Sequence, residues 1–239
     1  MHDTHSHHSH SHTEEHFAQS DLIKDIVIGM ADGLTVPFAL AAGLSGAVDS
    51  NAIIITAGIA EIAAGSIAMG LGGYLAGRTE IEHYNSELKR EYFEVKNFYE
   101  KEKEEVREVF AAYGLSTGTQ NLIADEMAKD ESKWVDFMMK YELGLDKPDE
   151  KRARNSAINI GVAYIVGGIV PLSAYFFTSH PKDGLLYSSF FTIICLLTFG
   201  YFKSKFTGQS PLQGAIRTMV IGVIAAAAAY YIAKLVQGI

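Results

Sequence analysis

Five stretches of this chain are apolar for about twenty residues each, at 25–46, 52–77, 155–179, 184–202 and 210–233. A helix rises ~1.5 Å per residue and a bilayer core is ~30 Å thick, so each stretch is long enough to span a membrane as a helix. After Gly77 the apolar run stops, but helix-favouring Glu, Lys and Arg continue through 78–108 with no proline or glycine. The pattern predicts that the second span runs on as one helix into water. Gly114, Gly118 and the Ser116–Thr117 pair interrupt it. Further helices are predicted over 120–128 and 131–143, the latter ended by Gly144 with Pro148 beyond. This middle segment looks too short and too charged for a large core, so its stability is expected to lean on a partner. The expected fold is all-α: a polytopic membrane protein with five transmembrane helices and a helical cytosolic domain inserted between spans 2 and 3. Its parts are a tail at 1–20, spans 1–2 at 21–77, the helical domain at 78–154 and spans 3–5 at 155–239.

Charge sharpens this division. Residues 78–154 hold 14 Lys/Arg and 19 Asp/Glu, out of 20 and 28 in the whole chain. The net charge of -8 suits cations and argues against nucleic acid. One cysteine, Cys195, excludes an internal disulfide and any CxxC metal motif. Five spans put the termini on opposite sides. Lys24, the basic residues of the middle segment, Lys203, Lys205 and Arg217 fall on one side, against Lys182 and Lys234 on the other. The positive-inside rule then puts the N-terminus and 78–154 in the cytosol. The start of the chain is polar and predicts no cleavable leader, leaving the first span as the targeting signal. Residues 1–20 carry His2, His5, His7, His8, His10, His12 and His16 and read as a disordered tail. They offer soft capture of Zn, Cu, Ni or Fe, or have no essential role.

Two carboxylates lie well inside the first two spans, Asp32 and Glu61. Each is expensive at that depth unless it meets protein, water or a cation, and two in neighbouring spans point to an ion path. Pro37 removes the helical bond to the Gly33 carbonyl, beside Asp32, and transporters use such freed oxygens as cation ligands. The alternative is a packing kink with Asp32 bonded to a nearby Ser or Thr. Glu61, Gly65 and Met69 are spaced i, i+4, i+8 and share one face. A thioether near a carboxylate offers soft and hard ligands to a borderline metal such as Fe(II), although a methionine there also serves simple packing.

The middle segment pairs Glu91 with Glu94 and Glu102 with Glu105 at i, i+3. Glu142 follows Met138 at i+4 and Met139 at i+3. Three helices meeting would join these carboxylates and thioethers into a divalent-metal site. The plainer alternative is a solvated, salt-bridged helix face, which Lys or Arg at 89, 90, 101, 103 and 107 would suit.

The runs DIVIGMADGLTVPFALAAGLSGA, TAGIAEIAAGSIAMGLGGYLAGRTE and WVDFMMKYELGLDKPD, with FGYFKSKFTG later, resemble the vacuolar iron transporter family, in particular members with a cytosolic metal-binding domain. The resemblance extends from about Phe17 to the C-terminus and leaves out the histidines of the tail. It implies a homodimer in the vacuole membrane, exporting cytosolic Fe(II) in exchange for protons along a path at the dimer interface. The implied path residues are Asp32, Glu61 and Met69. The implied metal ligands of the cytosolic domain are Glu91, Glu94, Glu102, Glu105, Met138, Met139 and Glu142. No cofactor and no enzymatic step are implied. The cargo is Fe(II), with Mn(II), Zn(II), Co(II) and Ni(II) as further candidates. A broader divalent-metal transporter and a membrane-anchored metal sensor are the competing readings.

Overall fold

The computed structural model describes the backbone of residues 11–238 and the side chains of residues 21–238. The histidine-rich tail at 1–20 thus has its side chains outside the described residues. Eight helices are described: α1 (Ser11–Ala47), α2 (Asn51–Asn97), α3 (Tyr99–Ala112), α4 (Thr117–Met127), α5 (Glu131–Tyr141), α6 (Arg152–Phe176), α7 (Pro181–Phe206) and α8 (Pro211–Gln237). Five of them, α1, α2, α6, α7 and α8, are long and apolar enough to cross a membrane. The chain divides into a first unit, residues 1–74 with 154–239, and a second unit, residues 75–153.

In the first unit, helix starts and stops follow local chemistry. Pro181 and Pro211 stand in the first turns of α7 and α8, where a missing N–H costs nothing. Gly208, at φ 69°, ends α7 in the left-handed region that a side chain would disfavour. Helices α1 and α6 approach backbone to backbone. A Cβ on Gly33 would meet the Tyr164 Cα at 2.9 Å, and one on Gly167 would meet the Leu34 nitrogen at 2.9 Å. Close backbone contact of this kind supplies the packing energy that lipid cannot supply by hydrophobic exclusion. Helix α7 buries a row spaced by four, Gly184, Ser188, Thr192, Leu196, Gly200 and Ser204.

The second unit differs from the sequence expectation in two ways. It has a core of its own, in which Trp134, Val106, Val135, Met138 and Met139 are sealed from solvent. These residues are scattered among charges, which is why the segment reads as core-poor. Around them Phe110 stacks on Phe137, and the Tyr99 ring meets Trp134 edge-on at 5.3 Å. Helices α4 and α5 are capped by side chains, Ser116 accepting from the Thr119 N–H and Asp130 from the Lys133 N–H. Secondly, the helix expected to run unbroken through 78–108 breaks at Phe98 (φ -127°, ψ 36°), so that α2 ends and α3 begins.

Candidate functional site

The break at Phe98 builds the acidic site of the second unit. In one continuous helix, Glu91 and Glu102 would stand roughly 16 Å apart along the axis. Instead α2 closes with its last carbonyls occupied. The Phe98 N–H donates to the Glu94 carbonyl, and the Asn97 side-chain amide to the Phe93 carbonyl, both at 2.7 Å. Helix α3 restarts in a direction that returns Glu102 to α2, and one carboxylate oxygen from each of Glu91, Glu94 and Glu102 lies within 4.8 Å of the others.

Two of these groups are buried and under-satisfied in hydrogen bonding. Glu91 and Glu102 are 1% and 0% exposed. Neither Glu102 oxygen has a hydrogen-bond partner among the described residues, nor does Oε2 of Glu91. Buried carboxylates left in that state are costly in an apo protein and well suited to a cation. Burial, then the neighbouring Glu105 carboxylate, then Glu91, push the Glu102 carboxyl up to about 7, against the pull of Lys101. Two basic residues, Lys101 and Arg90, answer the cluster. Lys101 pairs with Glu105 at 2.6 Å and reaches Glu102 at 3.8 Å, and Arg90 stands 3.6 Å from Glu94. Lys103 and Arg107 are engaged elsewhere, with Asp125 and Glu104. Met138 and Met139 on α5 are fully buried in the same unit. Glu142 caps α5, its N–H donating to the Met138 carbonyl at 3.0 Å. Partial desolvation, then the charges of Glu105 and Glu94, hold its carboxyl above the usual range although its side chain reaches solvent. The three clustered carboxylates offer hard oxygen ligands suited to a divalent cation.

In the first unit, Asp32 and Glu61 are both half-buried, on α1 and α2. Sequence reasoning missed the residue that joins their helices. The Tyr164 hydroxyl of α6 donates to Oε1 of Glu61. It lies against Gly65, whose lack of a side chain leaves room for the ring. Gly33, next to Asp32, packs on the backbone of the same tyrosine. Oε2 of Glu61 is buried and has no hydrogen-bond partner among the described residues. A tyrosine in an apolar run reads as packing, and only its position near mid-span hinted otherwise. Met69 is half-buried two turns along α2 from Glu61 and makes no polar contact among the described residues. Asp25 was also missed. It is 1% exposed and accepts from Ser156 at 3.0 Å and Asn159 at 3.3 Å, both on α6.

Known proteins resemble this chain over nearly its whole length. The chain is 51% identical to vacuolar iron transporter 1 of Tulipa gesneriana over 228 residues, covering 95% of this chain and 92% of that protein. It is 50% identical to vacuolar iron transporter 1 of Arabidopsis thaliana over 226 residues, covering 95% and 90%. It is 37% identical to protein CCC1 of Saccharomyces cerevisiae over 226 residues, covering 90% and 69%. The profile of the VIT family matches residues 23–234, nearly the whole chain, and the protein therefore belongs to the VIT family.

Proposed function

We propose that this protein moves Fe(II) from the cytosol into a vacuole or similar acidic store in exchange for protons. It works as a homodimer, with 78–154 in the cytosol and the path between the subunits. Members of its family are transporters and not enzymes. The observation that carries the reading is the buried Glu102 carboxylate, without a hydrogen-bond partner among the described residues and with Glu91 and Glu94 within 4.8 Å. Such a cluster is costly alone and is relieved by a divalent cation.

In this mechanism Glu91, Glu94, Glu102, Glu105 and Glu142 draw the cation in by charge. Met138 and Met139 favour a transition metal over Mg(II) and Ca(II), which prefer all-oxygen shells. The ion then passes to Met69, Glu61 and Asp32 in the membrane. Tyr164 holds one oxygen of Glu61, leaving Oε2 as the ligand atom. Protonation from the acidic side cancels the carboxylate charge and releases the ion. A sensor anchored in the membrane needs neither Asp32 nor Glu61 at mid-bilayer.

Uptake of Fe(II) into proteoliposomes under a pH gradient tests this, with luminal pH followed at the same time. Asp32→Asn keeps the shape and removes the charge. It should leave expression and cytosolic metal binding intact while uptake and coupled proton flux fall to background. Asp32→Glu should keep part of the activity. Normal uptake by Asp32→Asn would remove this residue from the path. Competition by Mn(II), Zn(II), Co(II) and Ni(II) in the same assay ranks the cargo.

A further inference from the structure

Helices α1, α7 and α8 leave a cleft of about 260 Å³ among them. Its floor is Phe38 and Ala42 of α1 with Ala226 of α8, all buried. Its rim includes Tyr230 and Tyr231 of α8. The void has a plain cause in the sequence. Residues 225–229 of α8 are five alanines in a row, so α8 puts only methyl groups there. The walls are fixed and do not close over it. The Ser45 hydroxyl near the end of α1 is 2.8 Å from the Tyr175 hydroxyl of α6, and Gln237 of α8 donates to the Ala47 carbonyl of α1. The neighbouring ends of α2 and α6 are tied in turn by the Asn51 amide, which donates to the Thr178 carbonyl at 2.6 Å and its hydroxyl at 3.0 Å. Protein interiors hold few voids larger than a water molecule, so a standing apolar cleft suits an apolar occupant.

One end of the cleft carries positive charge. Helices α7 and α8 run antiparallel, joined by residues 207–210. Their contacts fix the register, with Gly222 against Leu196, Gly200 against Thr218 and Gly214 against Ser204. Carried along both helices, that register brings Lys182 to within about one turn of Lys234. On α7, Lys182 precedes the cleft residue Leu185 by three positions. On α8, Lys234 follows Tyr231 by three and Tyr230 by four. Each lysine thus stands one turn beyond the cleft, on the face that lines it. Asp183, in the same first turn of α7, is two positions from Leu185 and falls on the far side of the helix. Asp49, in the α1–α2 link, is the other acid at this end. Both lysines are exposed, and neither is in an ion pair among the described residues. The His180 side chain does not cap α7, so the first N–H groups of that helix stay available to an acceptor.

We propose that this cleft is a binding site for one anionic phospholipid per subunit. One acyl chain lies against the alanines of α8, between Phe38 and the two tyrosines, and the phosphate sits between Lys182 and Lys234 at the start of α7. Apolar walls ended by a pair of unpaired cations match a phospholipid in both shape and charge. The three helices that form the walls are all long and apolar enough to cross a membrane, so acyl chains are the molecules at hand. The inference needs neither the cargo nor the direction of transport proposed above.

Native mass spectrometry of the full-length protein, delipidated in mild detergent and titrated with dioleoylphosphatidylglycerol or dioleoylphosphatidylcholine, reads this directly. Wild type should retain one phosphatidylglycerol per subunit and hold it about tenfold more tightly than phosphatidylcholine. Lys182→Gln combined with Lys234→Gln should remove that preference. Ala227→Phe fills the cleft and should cut retention of both lipids about tenfold. Thermal midpoints without lipid are measured first. If Ala227→Phe does not purify folded, the lysine variant, changed only at exposed positions, decides. Equal retention by wild type and folded variants means a surrounding lipid shell only and overturns the site. A wild type without preference for the anionic lipid overturns it as well. So does a wild type that holds no lipid while Ala227→Phe shifts the ratio of dimer to monomer, which would make the cleft an interface between copies of the chain.

Discussion

Glu102→Gln should stabilise the apo protein while abolishing its response to metal. In the fold the Glu102 carboxyl titrates at about 7 rather than at its ordinary 4.5, with burial as the first cause and Glu105 the second. A carboxyl raised in this way binds a proton more tightly folded than unfolded. Its favourable contribution is complete below pH 4.5, declines as pH rises from 4.5 through 7, and stays lost above. The interval corresponds to roughly 3 kcal/mol, an upper bound because water around so small a unit screens part of the charge. Glutamine mimics the protonated acid, and its amide can donate toward Glu105 or Glu91, so the pH-dependent loss should shrink. For a unit of this size ~1 kcal/mol moves the midpoint by ~4–8 °C, which places the gain at pH 8 on the order of 10 °C. Trp134 is the only tryptophan in the chain and lies buried in this unit, so its emission follows the unit within the full-length protein. Melts at pH 5 and pH 8, with and without Mn(II) as an air-stable probe, complete the test. Wild type should melt lower at pH 8 than at pH 5 without metal, and Mn(II) should raise its midpoint most at pH 8, since binding displaces the proton. A Glu102→Gln protein less stable than wild type by the same amount at both pH values would refute the reasoning and make Glu102 a structural residue.

Exchanging both Met138 and Met139 for Leu keeps the core volume, so stability should change by less than ~1.5 kcal/mol. Discrimination between Mn(II) and Mg(II), measured by competitive titration of Trp134 emission, should fall about tenfold. Tyr164→Phe should keep the thermal midpoint and cytosolic metal binding near wild type but cut maximal uptake about tenfold, because Glu61 loses the donor that orients it. An unchanged rate would leave the tyrosine a packing residue. Gly33→Ala drives a Cβ onto the Tyr164 backbone and should cost ~1–3 kcal/mol in a melt. Gly72→Ala, with nothing within 4 Å, should be neutral or stabilising by up to ~1 kcal/mol, and an equal loss in both would refute the close-packing argument.

The five spans were legible because an uncharged run such as 155–179 has few other structural readings, and only the ends moved, α6 beginning at Arg152 and ending at Phe176. The turn at Phe98 was not legible. No glycine or proline marks it, and the Glu, Lys and Arg on either side favour helix, so the weak helix formers Asn97, Phe98 and Tyr99 do not stand out as a break. With the break goes the proximity of Glu102 to Glu91, which spacing alone could not give. Asp25 was hidden for the opposite reason. A carboxylate at the edge of a span is ordinary, and only the fold shows Ser156 and Asn159 closing around it. Tyr164 was hidden by its ring, which the apolar pattern absorbs, while its hydroxyl does the polar work.

The short links at the end where Asn51 meets Thr178 have a consequence for proteolysis. Between α1 and α2 only residues 48–50 lie outside helix, and between α6 and α7 only residues 177–180. A protease must draw an extended segment into its cleft, and exposed loop tips are where nicking concentrates. Here one link runs straight into Asn51 and the other contains Thr178, which are bonded to each other. The slack needed for cleavage is therefore absent at both. Both links of this face would resist nicking in whichever compartment they meet a protease.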